Sequence, residues 1–144
     1  FKERSFYGPW LKGLFDAASF DSFSGEYKLA ELLNFDPGVV WWKRLYPHER
    51  AVVAYTPKND YYPDFVVKAT DGTHWIIEGK SQKGADDEIV QVKKAAAEKA
   101  IRLLAGHPDY LDQSWGYLIA YEQDIASADS LADLLASSVT EKTL

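Results

Sequence analysis

Apolar positions along the chain change their period several times, and each change marks an expected element. In "SGEYKLAELLN", Leu29, Ala30, Leu32 and Leu33 recur at helical spacing, which predicts a helix from about Gly25 to Asn34 ended by "DPG". Glu26, Ala30 and Leu33 then share one face of it. A short first helix is expected over residues 9–18. Beta-branched and aromatic residues then crowd "VVWW", "AVVAY", "YPDFVV" and "HWII", which read as successive strands. After Gly84, "DDEIVQVKKAAAEKAIRLLAGHP" has acids in its first turn and Gly106 then Pro108 at its end, so it predicts the longest helix. Ile89, Val92, Ala96, Ala100 and Leu103 form its buried stripe, with Lys93 at the edge. "WGYLIAY" predicts another strand and "SLADLLASS" a closing helix, with Glu122-Gln123-Asp124 as the solvated end of that strand. Helix, strands, helix, strand, helix is the order of an α/β or α+β domain whose helices cover a central mixed β-sheet.

Two strands carry charges where apolar residues are expected: Asp64 in "YYPDFVV", and Glu78 and Lys80 in "HWIIEGK". The turn between them decides whether they meet. A two-residue Asp71-Gly72 turn sets Asp64 against Gly79 and sends Glu78 and Lys80 to the other face. A three-residue loop, Thr70-Asp71-Gly72, with Gly72 in the left-handed position, sets Asp64 opposite Glu78, Val66 opposite Ile76 and Tyr62 opposite Lys80. The second register is preferred because Gly72 suits its loop. Carboxylates facing one another across a ladder have Cβ atoms roughly 4.5–5.5 Å apart and repel. Lys80 supplies one positive charge on that face; a divalent cation answers the repulsion better and suits hard oxygen ligands. Asp64 and Glu78 are therefore the expected metal-binding acids, with the Gly79 carbonyl as a further ligand and Glu26 as a second or water-mediated acidic one. Such a site polarises a phosphodiester and activates water, with Lys80 beside it.

Composition narrows the classes. The chain has 144 residues, 47% of them hydrophobic, which suffices for one domain with its own core. It has no cysteine, so thiolate chemistry is excluded. Without a membrane-length apolar run or a signal pattern, a soluble cytoplasmic protein with no membrane partner is expected. A first residue that is Phe1, in a chain without methionine, leads to the expectation of a fragment of something larger. A net charge of −6 argues against nucleic-acid binding by bulk electrostatics, so any such contact must be local. Lys80, Lys83, Lys93, Lys94, Lys99 and Arg102 supply local positive charge around the proposed site.

"PD" at Pro63-Asp64, thirteen intervening residues, then "EGK" at Glu78 to Lys80 resembles the PD-(D/E)XK nuclease superfamily, the restriction-endonuclease-like fold. More narrowly, "SGEYKLAELL", "VVWWKR", "YYPDFVV", "WIIEGK", "VKKAAAEKA" and "WGYLIAYE" resemble the C-terminal endonuclease domain of type III restriction subunits and related helicase-linked nucleases, over about residues 20–122. The resemblance implies that Asp64, Glu78 and Lys80 are catalytic together with Glu26, that Asp64, Glu78, Gly79 and Glu26 hold magnesium (manganese substituting), and that Gln82, Lys83, Lys93 and Lys94 touch DNA. It implies partners as well: a helicase/ATPase motor in the same polypeptide, a methyltransferase or specificity subunit, or a second nuclease copy, within an antiviral restriction system. No motor motif lies in this chain, and Gly84 stands later after the lysine than the family's glycine.

Blander readings compete at every position. An E-x-K triplet is common in a chain with 26% charged residues. A glutamate in a helix's first turn is stabilised by the macrodipole anyway, and a lysine stem often runs along an apolar stripe. Trp41-Trp42-Lys43-Arg44 offers base stacking beside a phosphate clamp, but tryptophans in a domain of this size more often build the core. His48, His74 and His107 share no metal-ligand spacing. The rival functions are a catalytically silent binding domain on the same fold and a repair or junction-resolving nuclease.

Overall fold

A computed structural model describes residues 1–46, 53–56, 59–61, 63–80, 95, 99, 114–137 and 139–142. Beta-branched and aromatic runs form the strands of a mixed sheet in the order β3 (Val39–Arg44), β6 (Phe65–Ala69), β7 (Thr73–Lys80), β8 (Ser114–Tyr121) and β9 (Val139–Lys142). Every pairing is antiparallel except β7 with β8, which run parallel. Two smaller pairs join β1 (Phe6–Tyr7) with β2 (Ala18–Ser19) and β4 (Val53–Thr56) with β5 (Asn59–Tyr61).

The β6–β7 hairpin takes the three-residue register. Phe65 pairs with Ile77, Val66 with Ile76 and Val67 with Trp75. Gly72 has φ +91°, a conformation that glycine reaches without cost, and its N–H closes the loop onto the Ala69 carbonyl at 3.0 Å. Alternation then puts Phe65, Val67, Trp75 and Ile77 on a fully buried face, while Val66, Lys68, His74 and Ile76 are half-buried on the other.

The predicted early helix begins as a π-helical turn, Phe23–Tyr27, and continues as α1, Lys28–Phe35. Ser22 caps it by accepting the Glu26 N–H at 3.1 Å. Leu29, Ala30 and Leu33 are buried in one core with Trp42, Phe65, Val67, Ile77, Leu118 and Ala120. Asp36 ends the helix in extended conformation and turns the chain into β3. Two further helices follow β8: α2 (Glu122–Ser127) and α3 (Leu131–Ser137).

Three expectations need correction. Residues 9–18 form no helix, because their backbone pairs with the open edge of β3: Trp42 N–H donates to the Lys12 carbonyl at 3.0 Å, and Leu14 N–H to the Trp42 carbonyl at 2.9 Å. Leu11 and Phe15, apolar residues that a helix would have turned inward, remain exposed. Glu122-Gln123-Asp124 is no solvated strand end but the start of α2, with Asp124 buried. The chain also does not finish on α3, since β9 returns to pair with β8. The long helix predicted after Gly84 falls outside the described residues except at Ala95 and Lys99, both helical and exposed. None of the described helices is long and apolar enough to cross a membrane.

Candidate functional site

Four of the singled-out residues come together where β6 begins and β7 ends. Asp64 lies one residue before β6, at the point where the ladder slips, so the expected pairing of Asp64 opposite Glu78 does not form and the Asp64 carboxylate turns toward Gly79 instead. Its N–H donates to the Ile77 carbonyl at 3.0 Å, and its own carbonyl accepts the Leu45 N–H at 2.8 Å. The next donor along β7, the Gly79 N–H, is taken by a side chain: Asp64 Oδ2 accepts it at 2.8 Å. Glu78 is buried beside it, with Oε2 accepting from the Tyr117 hydroxyl at 2.8 Å and Oε1 3.9 Å from Lys80 Nζ. Tyr117 reaches Glu78 because the parallel register sets β8 against β7, with Ile119 opposite Glu78.

Glu26 arrives from the π-helical turn on the buried side of the sheet. Both of its carboxylate oxygens are engaged: Oε2 accepts the Asp21 N–H at 2.5 Å, and Oε1 accepts from Arg44 Nη2 at 3.1 Å. Arg44 is a site residue that the sequence did not single out. Instead of offering a phosphate clamp, its side chain is 6% exposed and lies between the acids, with Nη1 3.6 Å from Asp64 Oδ1 and Nη2 3.5 Å from Asp21 Oδ2. Alternation held the clue, since Arg44 shares the inward parity of Trp42, and an arginine there requires acidic company. Trp42 is core, packed edge-to-face on Trp10 with ring centroids 5.1 Å apart. Half-buried Trp41 meets His74 instead. Tyr117 carried no signal in the chain, because nothing local reports the register of a parallel partner.

The electrostatics follow from this crowding. Burial pushes Asp64 up from 3.8 to about 7, and the neighbouring Glu26 charge adds to the rise. The Gly79 N–H and Arg44 oppose it, and Glu78 adds a smaller push upward. Among the described residues, two cations, Arg44 and Lys80, face four acids, Asp21, Glu26, Asp64 and Glu78.

No family model, curated protein or solved structure matches this chain.

Whether the residues suit a divalent cation is a question of donor set. Among the described residues, no cluster of three or more His, Cys, Asp or Glu side chains forms that could hold a metal ion. Asp64 and Glu78 remain as two hard carboxylates on adjacent strands, with the Gly79 carbonyl next to them. That is enough for magnesium, which commonly takes one or two carboxylates and fills its octahedron with water and substrate phosphate. Positive charge there would also favour the ionised form of Asp64 against the burial and the Glu26 and Glu78 charges that raise it. The donor set fits. Gln82, Lys83, Lys93 and Lys94, the expected nucleic-acid contacts, lie outside the described residues.

Proposed function

We propose that the chain is a magnesium-dependent endonuclease unit of restriction-endonuclease-like fold that hydrolyses DNA phosphodiester bonds as the cleavage module of a restriction or helicase-nuclease machine. The observation that carries this reading is that Asp64, held by the Gly79 N–H, and Glu78, with Lys80 on its flank, gather at the same end of two core strands. Charge of one sign that burial makes costly is a mark of a functional site. The mixed sheet with α1 on one face agrees with the fold that the PD…EGK resemblance implies.

In this reading Asp64 and Glu78 hold the cation, which would polarise the scissile phosphate and lower the pKa of a bound water. Tyr117 orients Glu78 by donating to Oε2 and leaves Oε1 on the Lys80 side. The Lys80 ammonium steadies negative charge as it builds on the phosphate and stands where it can orient the attacking water. The Gly79 N–H keeps the Asp64 carboxylate aimed along the end of β7.

The test is cleavage of plasmid and oligonucleotide DNA with magnesium or manganese by the chain and its Asp64→Ala and Lys80→Ala variants. Both variants should lose at least about 100-fold in rate while keeping the parent's circular dichroism. Undiminished cutting by both rules out the assignment. A chain that binds nucleic acid but takes up no manganese is the silent binding module instead.

A further inference from the structure

We infer that Arg44 is a positioning residue of the carboxylate site and that Glu26 acts through it, not as a metal ligand. The inference deepens the cation-site reading and rests on it for its functional consequence. Its geometry stands on four elements: the π-helical turn supplies Glu26, β3 supplies Arg44, and the entry to β6 and exit of β7 supply Asp64 and Gly79.

Arg44 Nη1 donates to the backbone carbonyls of Leu45 at 2.6 Å and Asp64 at 3.1 Å. It therefore holds Asp64 by the main chain as well as facing its carboxylate at 3.6 Å. Nη2 is committed to Glu26 at 3.1 Å, and the guanidinium lies over the rings of Tyr46 and Phe65 at 5.4 and 5.8 Å. Nε is buried with no hydrogen-bond partner among the described residues. A buried guanidinium left partly unsatisfied is costly, so three acids and two carbonyls converging on its other nitrogens are what hold it in place.

Glu26 is poorly placed to bind a cation in this arrangement. One oxygen serves Arg44 and the other the Asp21 N–H, and a cation there would meet the guanidinium first. Its contribution is to fix the fork of Arg44, whose planar donors match a carboxylate on one side and the Asp64 backbone on the other. Asp64 is thus set from two sides: by Arg44 at its carbonyl and by the Gly79 N–H at its carboxylate. Groups that orient a ligand in this way typically contribute 10- to 100-fold to metal affinity.

Two measurements on the full chain test this. The first needs no metal. Amide hydrogen exchange at Gly79 should be at least about tenfold faster in Arg44→Met than in the parent, while Leu118 and Val67 in the core exchange as before. Arg44→Lys keeps the charge without the fork and should show the same local loosening; it replaces the methionine variant if that one fails to fold. An unchanged Gly79 amide overturns the positioning role. The second is manganese affinity by calorimetry: Arg44→Met and Glu26→Gln should each weaken binding about tenfold, and the double variant should be no weaker than either. Losses that multiply to about a hundredfold overturn the inference, because Glu26 then contributes independently as a ligand. A parent chain that binds no manganese sinks the nuclease reading, and the Gly79 exchange then decides the role of Arg44 by itself.

Discussion

Asp64 makes the fold itself sensitive to pH. In the unfolded chain its carboxyl ionises near 3.8, whereas in the fold, burial and the Glu26 charge hold it protonated up to about 7. The native state therefore binds this proton more tightly. Its stabilising contribution is complete below about pH 4, shrinks as the pH climbs between those values, and is gone above 7. Asp64→Asn should flatten that decline in the metal-free chain and be more stable than the parent at pH 8 by at most a few kcal/mol. Urea midpoints across pH 4 to 8 measure it, and identical pH slopes for the two proteins would refute the assignment. At this scale the sequence was partly legible. Asp64, Glu78 and Lys80 announced themselves by interrupting apolar strands. Arg44 did not, because a charged residue next to two tryptophans looks like an exposed edge until the partners that neutralise it are known.

Elements in this protein are joined by side chains as much as by the backbone, and Asp36 is the plainest case. Its Oδ1 accepts the Gly38 N–H at 2.8 Å and turns the chain out of α1 into β3. Its Oδ2 accepts the Leu131 N–H at 2.7 Å and so satisfies the first turn of α3, far along the chain. Asp36→Ala leaves both donors without that acceptor, the Leu131 N–H in a buried setting and the Gly38 N–H in a half-buried one, and should cost about 1–3 kcal/mol, read as a lower urea midpoint. The loss should persist with saturating manganese, since nothing here touches the carboxylate site. The "DPG" that stops α1 was readable, but its second duty to α3 was not: a cap supplied from a distant segment leaves no local pattern. The segment 9–18 misled for a related reason. Its apolar spacing suits a helix, and an open strand edge offered its backbone a better set of partners.

Across the whole molecule, the sheet depends on how closely β7 and β8 can approach. Gly116 pairs with Trp75, and a Cβ there would lie 2.4 Å from the indole ring, well inside contact distance. Gly116→Ala should therefore lower stability by about 3 kcal/mol, and Trp75→Phe in that background should recover part of it by clearing the ring from the site. Thermal unfolding of the two variants and the double variant measures this. Because β8 also positions Tyr117 on Glu78, Gly116→Ala should weaken manganese binding as well as the fold.

By itself, the sequence determined the β6–β7 hairpin and favoured its three-residue loop over a two-residue turn because Gly72 suits it; the structure, with Gly72 at φ +91° and Phe65 paired with Ile77, decided between the two. The sequence determined as well that two acids and a lysine would stand at one end of that hairpin. Only the tertiary structure decided that β8 runs parallel to β7, that β9 closes the far edge, and that Arg44 stands between Glu26 and Asp64. Those pairings join residues distant along the chain. Their energy depends on shape and charge in three dimensions, for which no periodicity of the chain is a proxy.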